Sequence, residues 1–316
     1  MDRYQYVREA FDLVICVEDA IRRLGVSPGR CVVVEDTPTG ARAVAPSIPS
    51  MARLSIFLLA LFAIAAMTEP VLAQPPLLGA VVMHGKGGSP TRFVSDLAEG
   101  LEARGYLVAN LEMPWSGNRN YDVDTEQADK QVEAAISGLK AKGAARVFVM
   151  GHSQGGAFAL HFASRYPVDG IVAIAPGGSV DGRIYLEQVG ESLARARRLV
   201  AEGKGAEKQR LDDYEGSRRN FTVVSPPSAY VTWFDPAGAM SMNRSLREFP
   251  ARVPVLWVSP IGDYPALRKS STYYYGQLPP NPHHRFVEPE ASHLGAPKAA
   301  IPDILAWAAA LVQGGR

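Results

Sequence analysis

Cysteine is nearly absent from this chain: two residues in 316, Cys16 and Cys31, both near the start. Everything beyond Cys31 is thiol-free, which excludes disulfides and cysteine-ligated zinc from the bulk of the chain. An excess of either charge is missing too. The formal net charge is +1, which gives no support to a nucleic-acid or acidic-polymer partner. The longest apolar stretch, Leu54 to Met67, falls short of the roughly 18 residues a membrane span needs. Internal repeats and low-complexity runs are also lacking. What remains is 47% hydrophobic and 21% charged, a chain long enough for one large α/β domain or two small ones.

The short apolar stretch has a recognisable setting. "MARLSIFLLALFAIAAMTEPVLAQ", residues 51–74, places Arg53 before it and Val71-Leu72-Ala73 after it, the layout of a secretory signal peptide with a small-residue cleavage site. The expectation is a leader at 51–73, a start at Met51, and a secreted or periplasmic mature chain over 74–316. Residues 1–50 then read as a non-native or misassigned extension. Within them, "LGVSPGRCVVVEDTPTGARAV" resembles the late acidic motif of haloacid dehalogenase-like phosphatases, with Glu35-Asp36 before a Thr-Gly turn. That family's paired nucleophile aspartates are absent from this stretch, so the fragment is not expected to do phosphatase chemistry.

After residue 74 the periodicities alternate. "LLGAVVM" (77–83) reads as a buried strand. Ser89-Pro90 then reads as an N-cap and first helical residue, with Phe93, Leu97 and Leu101 on one face and Gly105 as the stop. "YLVANLEMP" is a strand. From about Asp124, residues Val132, Ala135, Ile136 and Leu139 have helical spacing. "ARVFVM" and "DGIVAIAP" are strands around a helix that ends near Tyr166. Such alternation implies a mostly parallel sheet with helices on both faces, because right-handed crossovers put them there. Residues 178–250 break the rhythm and read as a cap-like insertion. The alternation returns with "VPVLWVSP", "HRFVEP" and a last helix carrying Ile304, Leu305, Ala308 and Leu311.

The chemistry gathers at "VFVMGHSQGGAFAL", residues 147–160. A serine hydroxyl is a poor nucleophile without a base, and it must be lifted clear of the sheet edge to be used. A sharp strand-to-helix turn does this, provided that no side chain two residues either side collides with its neighbours. Gly151-His152-Ser153-Gln154-Gly155 meets that condition between a strand and a helix.

At this point the sequence resembles the α/β-hydrolase family over essentially all of 77–313. The resemblance implies the α/β-hydrolase fold and a Ser, acid, His order along the chain. Asp263, after the strand in "VLWVSPIGD", matches the acid, and His293 in "PEASHLG" matches the base. Asp235 is the rival acid, inside the insertion. His84, His152, His161, His283 and His284 are the other histidines, assigned to the oxyanion loop, the elbow, packing and the start of the final strand. The family draws oxyanion donors from the residue after the nucleophile, here Gln154, and from an early loop, here "HGKGGSP". By position the second donor is the Lys86 amide, with Gly87 as the alternative.

The activity so implied is cleavage of a carboxylic ester of a small molecule through an acyl-enzyme, with no cofactor, no metal and no nucleic acid. Thioesterase, lipase and peptidase or amidase activity share the machinery, and a non-catalytic binding member is the reading from another class. In substrate binding, Tyr230, Trp233 and Met240 of the insertion are candidates, with Trp115 after an early strand. The spacing leaves open whether these are core residues. Substrate identity and oligomeric state are not legible.

Overall fold

Apolar strands with almost no polar interruption can be stable only when covered on both faces, and six such strands form one parallel sheet. The computed structural model describes residues 76–216 and 219–314; the extension at 1–50 and the leader at 51–73 lie outside them. In chain order the elements begin with β1 (Leu78–Met83), α1 (Ser95–Glu102), β2 (Leu107–Leu111), α2 (Thr125–Ala141), β3 (Arg146–His152), α3 (Gln154–Arg165) and β4 (Gly170–Ile174). Next come α4 (Arg183–Ala201), the antiparallel hairpin β5 (Gln209–Glu215) and β6 (Arg219–Ser225), α5 (Pro227–Phe234) and α6 (Met242–Arg247). The chain closes with β7 (Val255–Val258), α7 (Pro265–Tyr275), β8 (Arg285–Val287), α8 (Ala296–Ala299) and α9 (Ile301–Gln313).

The sheet order is β2-β1-β3-β4-β7-β8, every neighbouring pair parallel. Alternate residues of each strand feed two cores. Ala80, Val82, Phe148, Met150, Val172 and Ile174 pack under α1, α8 and α9. Val81, Met83, Val147, Val149, Ile171 and Ala173 pack under α2, α3 and the insertion. Each valine, isoleucine, phenylalanine or methionine among these contributes about 1.5–3 kcal/mol by leaving water. Strand order reverses between β1 and β3, and parallel sheets open a crevice at the carboxyl ends of strands at such a point. The register Met83↔Gly151 brings the loops after β1 and β3 side by side there.

Two expectations need correction. The Ser89-Pro90 pair does not start α1. The Arg92 amide donates to the Ser89 carbonyl at 3.1 Å, a turn with proline in its second position, and Phe93 follows at φ 68°. The helix begins only at Ser95. The insertion, read as a helix and an irregular stretch, also contains the β5–β6 hairpin. Along β5, Leu211 and Asp213 are the buried positions. A carboxylate on the inward face hides the alternation that would have announced a strand.

Candidate active site

Ser153 sits at the corner between β3 and α3 with φ 53° and ψ −117°, a strained backbone for a residue with a side chain. Its surroundings hold it there. The Ser153 amide donates to the Ile174 carbonyl at 2.8 Å, and its carbonyl accepts from Gly156 and Ala157 at 3.0 and 3.1 Å. A methyl on Gly151 would lie 2.1 Å from the Gly155 carbonyl group, and one on Gly155 would lie 2.7 Å from the Met83 and His84 oxygens. Bare glycines let helix and strand close to this distance. The Ser153 residue is left partly exposed.

Asp263 and His293 come from loops after β7 and β8, and the sheet ladder continues into both. The Ser259 amide donates to Val287, Ile261 to Pro289 and Gly262 to Ala291, at 2.9, 3.1 and 3.0 Å. The pairing ends at a parallel bridge between Gly262 and Ser292, one residue short of Asp263 and His293 respectively, and His293 Nδ1 donates to Asp263 Oδ1 at 2.9 Å. The Tyr264 amide donates to the same oxygen at 2.7 Å. His152 backs the imidazole: its ring centroid is 4.7 Å from that of His293, and its Nε2 donates to the His293 carbonyl at 2.9 Å. Burial, and then the His293 charge, push the His152 pKa down to about 3, so this ring stays neutral. Asp235, the rival acid, is instead engaged by Arg197 at 2.7 Å.

The loop after β1 carries three glycines around one lysine. Gly87 donates its amide to the Trp115 carbonyl at 2.8 Å and Gly88 donates to Gly85 at 3.0 Å. The Gly87 amide is thereby committed to a main-chain partner, which leaves it unavailable to a bound ligand. Gln154 opens α3, where the first amides have no partner in their own helix. His84 is buried between the Gly85 carbonyl and the Met113 amide, and burial lowers its pKa. The Lys86 ammonium points away into the insertion, where it meets Asp213 Oδ1 at 2.7 Å.

A cavity of about 430 Å³ opens over these residues, with Ser153, Gln154, Lys86 and His293 all in its wall. The remaining lining is mostly apolar: Gly177 to Ser179 after β4, Ile184, Tyr185 and Tyr214 to Gly216 of the insertion, with Glu215 its one further charged residue, and Tyr264 to Leu267 at the start of α7. The four proposed substrate contacts are not among them. Trp115, Tyr230, Trp233 and Met240 are at most 2% exposed and belong to the core under the insertion. Trp115 packs on Phe158 and Trp233 at 5.1 and 5.6 Å, and Tyr230 stacks on Phe234 at 4.0 Å. Neighbouring aromatics fill the space a ligand would need. Their polar edges are also spent: the Trp115 indole donates to the His84 carbonyl and the Trp233 indole to the Val123 carbonyl.

Among the described residues, no three or more His, Cys, Asp or Glu side chains gather closely enough to hold a metal ion. No described helix is long and apolar enough to cross a membrane.

A strained serine corner after β3 of a parallel sheet, with an acid and a histidine after β7 and β8, has a clear family context. The chain belongs to the alpha/beta hydrolase family, whose sequence profile matches residues 80–311. Esterase EstD of Thermotoga maritima is 31% identical over 113 residues, which span 32% of this chain and 27% of the esterase. A solved chain from the metagenome-derived lipolytic enzymes LipS and LipT superposes with a TM-score of 0.52 at 18% identity, covering 76% of this chain and 95% of its own. The monoacylglycerol lipase of Paleococcus ferrophilus does so with a TM-score of 0.52 at 20% identity, covering 74% and 94%. At these identities the likeness to the solved structures is one of fold.

Proposed function

We propose that this chain is a serine hydrolase that cleaves carboxylic esters by way of an acyl-enzyme. The observation that carries the reading is the 2.9 Å hydrogen bond from His293 to Asp263, with His293 in the wall of the same cavity as the strained Ser153. With Nδ1–H given to Asp263, the imidazole has Nε2 free as a base. It takes the Ser153 proton as Oγ bonds to the ester carbonyl carbon, and Asp263 stabilises the cation that forms. The carbonyl oxygen becomes an oxyanion that accepts from the Lys86 and Gln154 amides, each donor of this kind being worth about 3–4 kcal/mol. Collapse of this intermediate breaks the bond to the alcohol, which leaves with the proton from His293. Water then enters by the same steps, and acid and free serine are released.

The mostly apolar wall around the cavity favours a small ester with an apolar acyl or alcohol part. The similarity to an esterase over part of the chain agrees with ester cleavage ahead of thioester or amide cleavage. Hydrolysis of p-nitrophenyl esters from acetate to palmitate tests the reading and reports acyl length. Ser153→Ala is expected to lower kcat by about 10⁴-fold or more while folding normally. Near-native turnover in that variant would exclude Ser153 as the nucleophile, and an unmodified chain inert to every ester would favour a binding role.

A further inference from the structure

The insertion does more than wall the cavity. We propose that Asp213 is a positioning residue that holds both oxyanion donors, gripping Lys86 directly and Gln154 through Tyr121. The inference rests on the ester-cleavage reading above and extends it to a residue outside the triad.

Asp213 is completely buried, on the inward face of β5. Its Oδ1 accepts from Lys86 Nζ at 2.7 Å, from the Tyr185 hydroxyl at 3.0 Å and from the Tyr214 amide at 2.7 Å. The Lys86 ammonium also lies 5.8 Å from the ring centres of Tyr185 and Phe221. A buried carboxylate survives only when paired and hydrogen-bonded, so this cluster fixes Lys86 at the far end of its side chain. The main chain at the near end is flanked by Gly85, Gly87 and Gly88, which supply no side-chain anchors. With the Gly87 and Gly88 amides bonded to the Trp115 and Gly85 carbonyls, the ion pair is the side-chain restraint that completes the placing of the Lys86 amide.

The second tether runs through Tyr121. Its oxygen lies 3.0 Å from Gln154 Oε1 and 3.4 Å from Asp213 Oδ2, yet a phenol has one proton to give. Carboxamide oxygen and nitrogen exchange places by a simple turn. With Gln154 turned, its Nε2 donates to Tyr121 and Tyr121 donates to the carboxylate. Both residues whose amides face the oxyanion are then moored to one carboxylate of the insertion.

Kinetics of the full chain test this with Asp213→Asn and Tyr121→Phe. Each is assayed for kcat and KM on p-nitrophenyl butyrate, and for inhibition by a trifluoromethyl ketone that forms an oxyanion on the serine. Asp213→Asn is expected to lower kcat about 10²-fold, as a small misplacement of a reacting group does. Tyr121→Phe, which loses one hydrogen bond, is expected to lower it about tenfold. KM should stay within about twofold for both, and ketone affinity should fall in step with kcat/KM. If Asp213→Asn does not fold, Tyr121→Phe decides alone. A raised KM at unchanged kcat, or ketone affinity that ignores the loss in kcat/KM, overturns the proposal. Active wild type with unaffected variants overturns it alone, whereas wild type inert to every ester overturns the parent reading as well.

Discussion

Gly155→Ala puts a single methyl between the elbow helix and the first strand, and its consequences follow from the geometry. The added carbon would lie 2.7 Å from both the Met83 and the His84 carbonyl oxygens. Main-chain oxygens cannot rotate aside as a side chain does, so α3 must back away by about 0.7 Å to restore ordinary contact. Overpacking of this kind costs about 1–3 kcal/mol. The same retreat carries the Gln154 amide with it, one residue away, and a displacement near 1 Å at a reacting centre costs about 10²-fold in rate. The variant should therefore lose about 1–3 kcal/mol in urea unfolding and about 10- to 100-fold in kcat on a short-chain ester. Gly190→Ala is the control, because a methyl there meets no atom within 4 Å. Mid-helix in α4, it should gain about 0.5–1 kcal/mol with kcat unchanged. Wild-type stability and turnover in Gly155→Ala would refute the claim that bare glycines set the approach of α3 to the sheet.

Two further outcomes follow from burial. His152 titrates near pH 3 in the fold against 6.5 as a free side chain, chiefly because it is buried, and its Nδ1 has no hydrogen-bond partner among the described residues. As pH falls the unfolded chain takes up this proton first, so stability present above about pH 6.5 is lost progressively toward pH 3. Urea unfolding should show a loss of about 1.4 kcal/mol per pH unit from this group between pH 6 and 4, and His152→Gln should be shallower by that amount; equal slopes would contradict it. Trp233→Ala should cost about 3–5 kcal/mol of stability while leaving the acyl-length preference unchanged. A shifted preference at intact stability would return Trp233 to the ligand wall.

The order of strands and helices was legible because strands buried on both faces read as unbroken apolar runs, and the helix behind each shows its own spacing. The serine corner was legible for a different reason: its glycines answer a steric need that few other arrangements share. The residues lining the cavity were not. A tryptophan in a core and one in a ligand wall are both large, apolar and removed from water, so "SPPSAYVTWF" could not distinguish them. What decides is whether neighbours already fill the space, and Phe158, Trp115 and Phe234 do. Tyr185 and Tyr214, which do face the cavity, sit in segments whose pattern is that of an ordinary solvated helix and of a strand masked by Asp213. That aspartate carried a signal only in hindsight, as a charge in the inward slot of "RLDDYE". The Ser89-Pro90 pair misled because a turn and a helix start use the same two residues.

The proposed ester cleavage requires an activated hydroxyl at Ser153, and covalent capture reads this directly. Incubated with a fluorophosphonate and mapped by peptide mass spectrometry, the wild type is expected to carry one adduct, on Ser153, and His293→Ala should carry almost none in the same time. An adduct on a different residue, or labelling of Ser153 that is indifferent to loss of His293, would contradict it.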